Sequence, residues 1–136
     1  MAAALAMTFI FFSVVLAANR AAADCSRTCV TQNCHSVSLR YGKYCGVGHT
    51  GCTGEPPCDD VDACCRIHDE CTRVKGLTSI ECHQQLTRCV RRASNSLKPG
   101  FSSDCPVSTI APTIIRGIDM AILAIRLGSA AGLISG

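Results

Sequence analysis

Twelve cysteines restrict the fold of this chain more than any other feature. All of them lie after residue 24, and their number is even. In a short chain this pattern is typical of a secreted domain that relies on disulfide bonds rather than on a large core. Zinc binding is the competing interpretation, but no paired C-x-x-C units with a zinc-finger spacing occur. We therefore predict one small domain whose twelve cysteines form up to six disulfide bonds.

The first 23 residues have the features of a signal peptide. Leu5–Ala18 is almost entirely apolar, and Ala21–Ala23 supply the small residues that signal peptidase requires. A second cleavage position follows Ala17. Because the apolar run is shorter than the about 20 residues that span a bilayer, we expect no transmembrane anchor. The sequence therefore predicts an exported, extracellular protein with a single domain over residues 24–136.

The charge of the predicted mature chain is nearly balanced. Removing Arg20 from the 13 basic residues leaves 12, against 10 acidic residues, a net charge of +2. This charge is too small to indicate nucleic-acid binding or strong attraction to anionic membranes. The chain has two tyrosines and no tryptophan, so its core must be small. Disulfide bonds, each worth about 2–4 kcal/mol, must then supply much of the stability, and we expect a monomer.

Capping residues predict two helices joined by a short turn. Asp59 or Asp60 can cap a helix that runs to about Val74. The segment Thr78–Glu81 has the capping-box pattern, which predicts a second helix that runs to about Ser94. Both predicted helices carry cysteines, which favours an antiparallel pair cross-linked by disulfides.

The two ends of the mature chain give weaker signals. Residues 24–40 lack strong helix signals and are predicted to form loop and short turns. The segment Pro112–Gly128 is strongly apolar, and its charges at Arg116, Asp119 and Arg126 fall within about 80° on a helical wheel. We predict a C-terminal helix, and two interpretations of its apolar surface remain open: it packs on the core, or it lies on a membrane.

Residues 62–71 place a histidine beside a carboxylate on the first predicted helix. Cys64 lies four residues before His68, and Cys65 lies four before Asp69, so each cysteine is one turn from its partner. A rigid helix that presents a neutral base next to an anion suits water activation beside a metal ion. An isolated His-Asp pair is more often an ordinary surface feature. The neighbouring cysteines and glycine-rich loop favour a functional site here.

Closely spaced glycines predict an ordered loop before this helix. They are too frequent for a helix or a packed strand, and glycine lets main-chain carbonyl groups turn inward. Calcium prefers oxygen ligands such as carbonyl and carboxylate groups. With Asp69 as a nearby carboxylate, Tyr44–Gly51 is a candidate calcium loop. The glycines are Gly42, Gly46, Gly48, Gly51 and Gly54.

Together, the loop and the helix resemble the secretory phospholipase A2 family. The loop motif is Tyr-Gly-Lys-Tyr-Cys-Gly-Val-Gly-His-Thr-Gly-Cys (residues 41–52), and the helix motif is Asp-x-Cys-Cys-x-x-His-Asp-x-Cys (residues 62–71). The twelve cysteines and the short segment before the loop are most similar to its plant-type branch. The resemblance implies a mainly α domain that carries out calcium-dependent hydrolysis of the sn-2 ester of glycerophospholipids. The products are free fatty acid and lysophospholipid, and the substrate lies in a membrane or micelle to which the protein binds peripherally.

The resemblance also implies roles for single residues. His68 is the general base that takes a proton from water, and Asp69 is the carboxylate ligand of calcium. The carbonyl groups of Tyr44, Gly46 and Gly48 are further ligands, with His49 as the alternative to Gly48, and the amide of Gly46 helps to stabilise the oxyanion. The implied disulfides are Cys45–Cys65, Cys64–Cys89 and Cys71–Cys82, and the pairing of the other six cysteines stays open.

His83 departs from the animal enzymes, which have at this position an aspartate that orients the catalytic histidine. Plant-type members usually carry a neutral polar residue there, so we interpret His83 as the orienting partner of His68. A neutral partner would stabilise a protonated His68 less well. This difference keeps open a second hypothesis, a catalytically weak or silent homologue that binds membranes or a receptor. A cysteine-rich lipid carrier is a third hypothesis, but it needs neither the glycine-rich loop nor the His-Asp pair.

Overall fold

The structure, a computed structural model, describes residues 25–132. Its elements follow one another as β1 (Val30–Gln32), β2 (Arg40–Gly42), α1 (Asp60–Lys75), α2 (Ile80–Asn95) and α3 (Val107–Ala130). The prediction of a mainly helical, disulfide-rich domain is confirmed. The predicted signal peptide lies outside the described residues.

The first helix begins and ends at the residues that its capping signals predict. Asp59 is the N-cap, and its side chain accepts a hydrogen bond from the main-chain N–H of Asp62 at 2.9 Å. Gly76 follows the last residue with a φ of 89°, a conformation that glycine adopts without steric cost. Local chemistry therefore determines the length of α1.

The second helix forms, but the predicted capping box is wrong. Ser79 rather than Thr78 is the N-cap, and its hydroxyl accepts a hydrogen bond from the N–H of Cys82 at 3.4 Å. Glu81 forms an ion pair with Lys75 at 2.7 Å. The carboxylate is thereby held by the end of α1 and is not turned back onto its own helix.

The C-terminal helix begins five residues before the predicted start at Pro112. The apolar segment that predicts the helix begins at Pro112, a residue that has no N–H to donate to the carbonyl four residues earlier. Ile110 and Ala111 are 0% and 1% exposed, so burial of the first turns outweighs the lost hydrogen bond. Farther along, Met120 and Leu127 remain exposed.

A small antiparallel sheet occupies part of the segment that we predicted as loop. In it, Thr31 pairs with Tyr41. Each strand has only three residues, too few for an alternating pattern to be recognised. Tyr41 is fully buried; its hydroxyl donates to the Asp59 carboxylate, and its ring centroid lies 4.8 Å from that of Phe101. The sheet thus connects the start of the loop to the N-cap of α1.

All twelve cysteines form disulfide bonds, so none is left to bind zinc. The three bonds that the resemblance implies are present, and they join α1 to the loop and to α2. The six cysteines whose pairing was open connect the N-terminal segment to the loop, to the residue before the N-cap of α1, and to the segment just before α3. The bonds are Cys25–Cys52, Cys29–Cys58, Cys34–Cys105, Cys45–Cys65, Cys64–Cys89 and Cys71–Cys82.

The core lies where the three helices meet the sheet. Val61 of α1, Val90 of α2 and Ile110 of α3 are each 1% exposed or less. Within residues 25–132, no helix combines the length and the apolar character that crossing a bilayer requires.

Candidate active site

His68 lies half-buried on α1 and faces His83 of α2. Its Nε2 is 2.9 Å from Nδ1 of His83, and the two ring centroids are 5.1 Å apart. Burial, and to a smaller extent the charge of His83, lowers the pKa of His68 to about 4. The His68 imidazole is therefore neutral at neutral pH, the state in which it can accept a proton.

Asp69, the next residue of α1, is half-buried and contacts the loop. Its Oδ2 accepts a hydrogen bond from the hydroxyl of Thr50 at 2.9 Å. Burial raises the pKa of Asp69 to about 6; the Thr50 hydroxyl lowers it and the negative charge of Asp62 raises it further. A bound cation would offset the cost of ionising this carboxyl group.

The carboxylate of Asp62 positions the first half of the loop, a role that the sequence analysis missed. Asp62 is fully buried. Its two oxygens accept hydrogen bonds from three main-chain N–H groups. The shortest N···O distances are 3.0 Å for Lys43, 2.8 Å for Tyr44 and 2.9 Å for Cys58. A Cβ on Gly42 would overlap this carboxylate. The sequence feature that could have revealed this role is an aspartate on the buried face of an amphipathic helix, because a buried carboxylate needs several hydrogen-bond partners.

The rest of the loop is held by its own main chain and by the side chain of His49. Gly46 has a φ of 141°, and a Cβ there would lie 2.5 Å from the carbonyl oxygen of Leu39. The Gly46 carbonyl oxygen accepts a hydrogen bond from the N–H of His49 at 3.2 Å. A carbonyl oxygen has two lone pairs, so one is left for a second interaction. Nε2 of His49 donates to the Gly42 carbonyl at 3.2 Å. Gly48 has a φ of 66°.

Two connections bring the loop to the helix turn that carries His68 and Asp69. The first is the disulfide Cys45–Cys65, and the second is the hydrogen bond from Thr50 to Asp69. The predicted carbonyl ligands lie in or directly beside the segment between these connections.

The donor atoms at this place suit calcium. Carbonyl and carboxylate oxygens are hard ligands, and a carboxyl group whose ionisation is opposed by burial gains from a nearby cation. In the part of the chain that the structure describes, no group of three or more His, Cys, Asp or Glu side chains could hold a metal ion. A calcium site of the predicted kind would instead use mainly main-chain oxygens together with Asp69.

No family model matches the chain, but plant relatives are similar to it over most of its length. Phospholipase A2-beta from Arabidopsis thaliana is 49% identical over 127 residues, which cover 89% of this chain and 86% of that protein. Probable phospholipase A2 homolog 1 from rice is 52% identical over 105 residues, 77% of this chain and 76% of that protein.

Solved structures of rice PLA2 share the fold. One superposes with a TM-score of 0.71 at 36% identity, covering 80% of this chain and 91% of the rice chain. A second, in complex with octanoic acid, has the same TM-score of 0.71 and identity of 36%, and covers 80% of this chain and 96% of the rice chain. The sequence identities and the shared fold show that this chain belongs to the secretory phospholipase A2 family, among its plant members.

Proposed function

We propose that this chain hydrolyses the sn-2 ester of glycerophospholipids in a calcium-dependent reaction that releases free fatty acid and lysophospholipid. One observation carries most of the argument. His68, held neutral by burial, lies beside Asp69 on a helix that is disulfide-bonded to a glycine-rich loop. The relatives are named phospholipases A2, and the complex of the rice protein with octanoic acid, a fatty acid, is consistent with an acyl product.

His68 is the proposed general base. It removes a proton from a water molecule as the water oxygen attacks the ester carbonyl carbon. When the tetrahedral intermediate collapses, the bond between that carbon and the glycerol oxygen breaks. The protonated His68 then gives its proton to the departing oxygen, which leaves as the hydroxyl group of lysophospholipid. A positioned base of this kind contributes about 10²–10⁴-fold to the rate.

Asp69 and the carbonyl groups of the loop are the proposed calcium ligands. The carbonyl groups are those of Tyr44, Gly46 and either Gly48 or His49. Calcium bound there would polarise the ester carbonyl and offset the negative charge that develops on its oxygen. The N–H of Gly46 is the protein donor that we propose for the same oxygen.

We also propose that the protein is secreted and meets its substrate at a lipid surface as a peripheral monomer. Disulfide bonds persist in oxidising compartments, which supports secretion. The exposed side chains of Met120, Leu123 and Leu127 lie on the same helix as Arg116 and Arg126. Apolar side chains beside arginines suit contact with the head-group region of phospholipids.

Removal of calcium should reduce hydrolysis to background. The assay measures fatty acid release from phosphatidylcholine vesicles by the mature chain, with calcium, with EDTA, and with magnesium in place of calcium. Magnesium demands a smaller octahedral site and should not restore the rate. Equal release in calcium and in EDTA would contradict the metal role. No release under any condition would favour the alternative, a catalytically weak or silent homologue that binds membranes or a receptor.

Calcium affinity should fall as the pH is lowered through about 6, because the raised pKa of Asp69 means that a proton competes with calcium there. The dissociation constant should rise about tenfold per pH unit below this value. Calorimetric titration at pH 7.5 and pH 5, in buffers of different ionisation enthalpy, would count the protons released. We expect about one at pH 5 and nearly none at pH 7.5. A calcium affinity that stays constant between pH 7.5 and pH 5 would contradict a ligand whose pKa is about 6.

A further inference from the structure

Lys43, near the start of the glycine-rich loop, is a buried lysine. The residue is only 7% exposed, and it directly precedes Tyr44, whose carbonyl group is a proposed calcium ligand. An ammonium group that is removed from water is costly unless an anionic group pairs with it. A positive charge in a loop that is proposed to bind a cation also needs a physical explanation.

Glu55 supplies the anionic partner. Nζ of Lys43 lies 2.7 Å from Oε2 of Glu55, whose side chain is partly buried. The hydrogen bond from Lys43 lowers the pKa of the Glu55 carboxyl group, which is therefore ionised at neutral pH. The other carboxylate oxygen of Glu55 lies 3.7 Å from the guanidinium group of Arg27, an exposed side chain. Lys43 is thus the close partner of Glu55 and Arg27 the distant one.

The main chain of Glu55 contacts the next loop residue. Its carbonyl oxygen accepts a hydrogen bond from the hydroxyl of Tyr44 at 2.5 Å. The Tyr44 ring lies against Gly51, where a Cβ would come within 2.4 Å of the ring. The side chains of two consecutive loop residues therefore both end at Glu55.

Glu55 is itself fixed by its neighbours in the chain. Its N–H donates to the carbonyl oxygen of Cys52 at 3.1 Å, and Cys52 is disulfide-bonded to Cys25. The residue that follows Glu55 is Pro56, whose ring fixes its own φ. Glu55 can therefore serve as a rigid point of attachment for the loop.

Glu55 and Asp62 hold opposite ends of the same two residues. The carboxylate of Asp62 binds the main-chain N–H groups of Lys43 and Tyr44, and Glu55 binds their side-chain ends. The peptide unit that carries the Tyr44 carbonyl group follows directly. With both ends held, this unit has little freedom to rotate.

We propose that Glu55 is a positioning residue for calcium, and that its ion pair with the buried Lys43 fixes the direction of the Tyr44 carbonyl group. This rests on the proposed function, in which that carbonyl group is a calcium ligand. Glu55 acts through Lys43 and is not itself a ligand.

The proposal makes a prediction that charge alone reverses for one of the two residues. If the two side chains acted only through their charges, removing the lysine would tighten calcium binding and removing the glutamate would weaken it. If the ion pair positions the loop, removing either side chain weakens calcium binding. Lys43→Met keeps an unbranched side chain of similar length without the charge. Glu55→Ala removes the carboxylate and keeps the carbonyl group that binds Tyr44.

Calorimetric calcium titration of the mature chain at pH 7.5 tests this prediction. Loss of a group that orients a metal ligand typically costs about 10–100-fold in affinity, and we expect the dissociation constant to rise about tenfold in Lys43→Met and in Glu55→Ala. The double variant should bind no more weakly than the weaker single variant, since both substitutions remove the same contact. Tighter binding by Lys43→Met, or unchanged affinity in Glu55→Ala, would overturn the proposal.

The matched controls are Lys75→Met and Glu81→Ala. These residues form an ion pair of the same length, 2.7 Å, between exposed side chains of α1 and α2. Both controls should keep the wild-type calcium affinity. If Glu55→Ala does not fold, Glu55→Gln should give a smaller loss in the same direction, because its amide oxygen still accepts a hydrogen bond from Lys43.

Hydrogen exchange in the calcium-free protein gives a test that does not depend on the proposed function. The N–H groups of Tyr44 and Cys45 should exchange faster in Lys43→Met and in Glu55→Ala than in the wild type, because a loop with fewer fixed contacts opens more often. Exchange at the wild-type rate in both variants would contradict the positioning role. A wild-type chain that bound no calcium would instead contradict the proposed function, and the exchange rates would still decide whether the ion pair fixes the loop.

Discussion

Replacing His68 with asparagine should lower kcat for phospholipid hydrolysis by about 10²–10⁴-fold, the contribution of a positioned general base. Asparagine is similar in size and remains polar, but its amide nitrogen has no lone pair that can take a proton from water. The neighbouring Asp69 and the loop are untouched, so calcium affinity should stay within about twofold of the wild type, since nothing that binds the ion is removed. The measurements are fatty acid release from phosphatidylcholine vesicles and calorimetric calcium titration.

The control for this substitution is His35→Asn, the same change at an exposed histidine outside the site. It should leave both activity and calcium binding unchanged. Wild-type activity in His68→Asn would mean that another group activates the water. Loss of calcium binding together with activity would mean that His68 supports the loop rather than the chemistry.

Replacing Asp62 with alanine should destabilise the protein by at least about 3 kcal/mol, because three buried N–H groups lose their acceptor at a cost of about 1–3 kcal/mol each. The carboxylate is 0% exposed and accepts hydrogen bonds from the N–H groups of Lys43, Tyr44 and Cys58. Alanine would leave these N–H groups without an acceptor in a region where water is excluded. Guanidinium unfolding with the disulfides intact would show the loss as a lower midpoint.

Asp60→Ala is the matched control, because Asp60 also lies in the first turn of α1. Its side chain is 57% exposed and pairs with Lys98 at 3.2 Å, so its loss should cost less than about 1 kcal/mol. Calcium affinity should fall in Asp62→Ala but not in Asp60→Ala, since only Asp62 holds the loop. Equal unfolding midpoints for the two variants would contradict the role that we assign to Asp62.

The elements that depend on local signals could be predicted from the sequence. Asp59 and Gly76 delimit α1 because capping and a positive φ depend on neighbouring residues alone. The start of α3 could not be predicted, because burial of Ile110 outweighs the effect of Pro112, and burial depends on the whole fold. The short strands and half of the disulfide partners likewise depend on segments that are distant in the chain.

In the candidate site too, features that depend on neighbouring residues could be predicted, and those that depend on distant residues could not. His68 and Asp69 are adjacent in the chain, next to two cysteines, so their pattern can be recognised directly. The role of Asp62 depends on N–H groups almost twenty residues away. The contact of His83 with the Leu77 carbonyl involves a main-chain atom that every residue has, so residue types cannot reveal it.

The disulfide Cys71–Cys82 has a consequence for the cell that makes this protein. It joins α1 three residues after His68 to α2 one residue before His83. In the cytosol, glutathione and thioredoxin keep thiols reduced, so newly made chains there would lack this cross-link. The disulfide Cys64–Cys89, which also joins α1 to α2, would be missing too, and no covalent bond would hold the two imidazoles together. With the secretion that we propose, the lipase would become competent only outside the cytosol, and the producer's own cytosolic membranes would be spared.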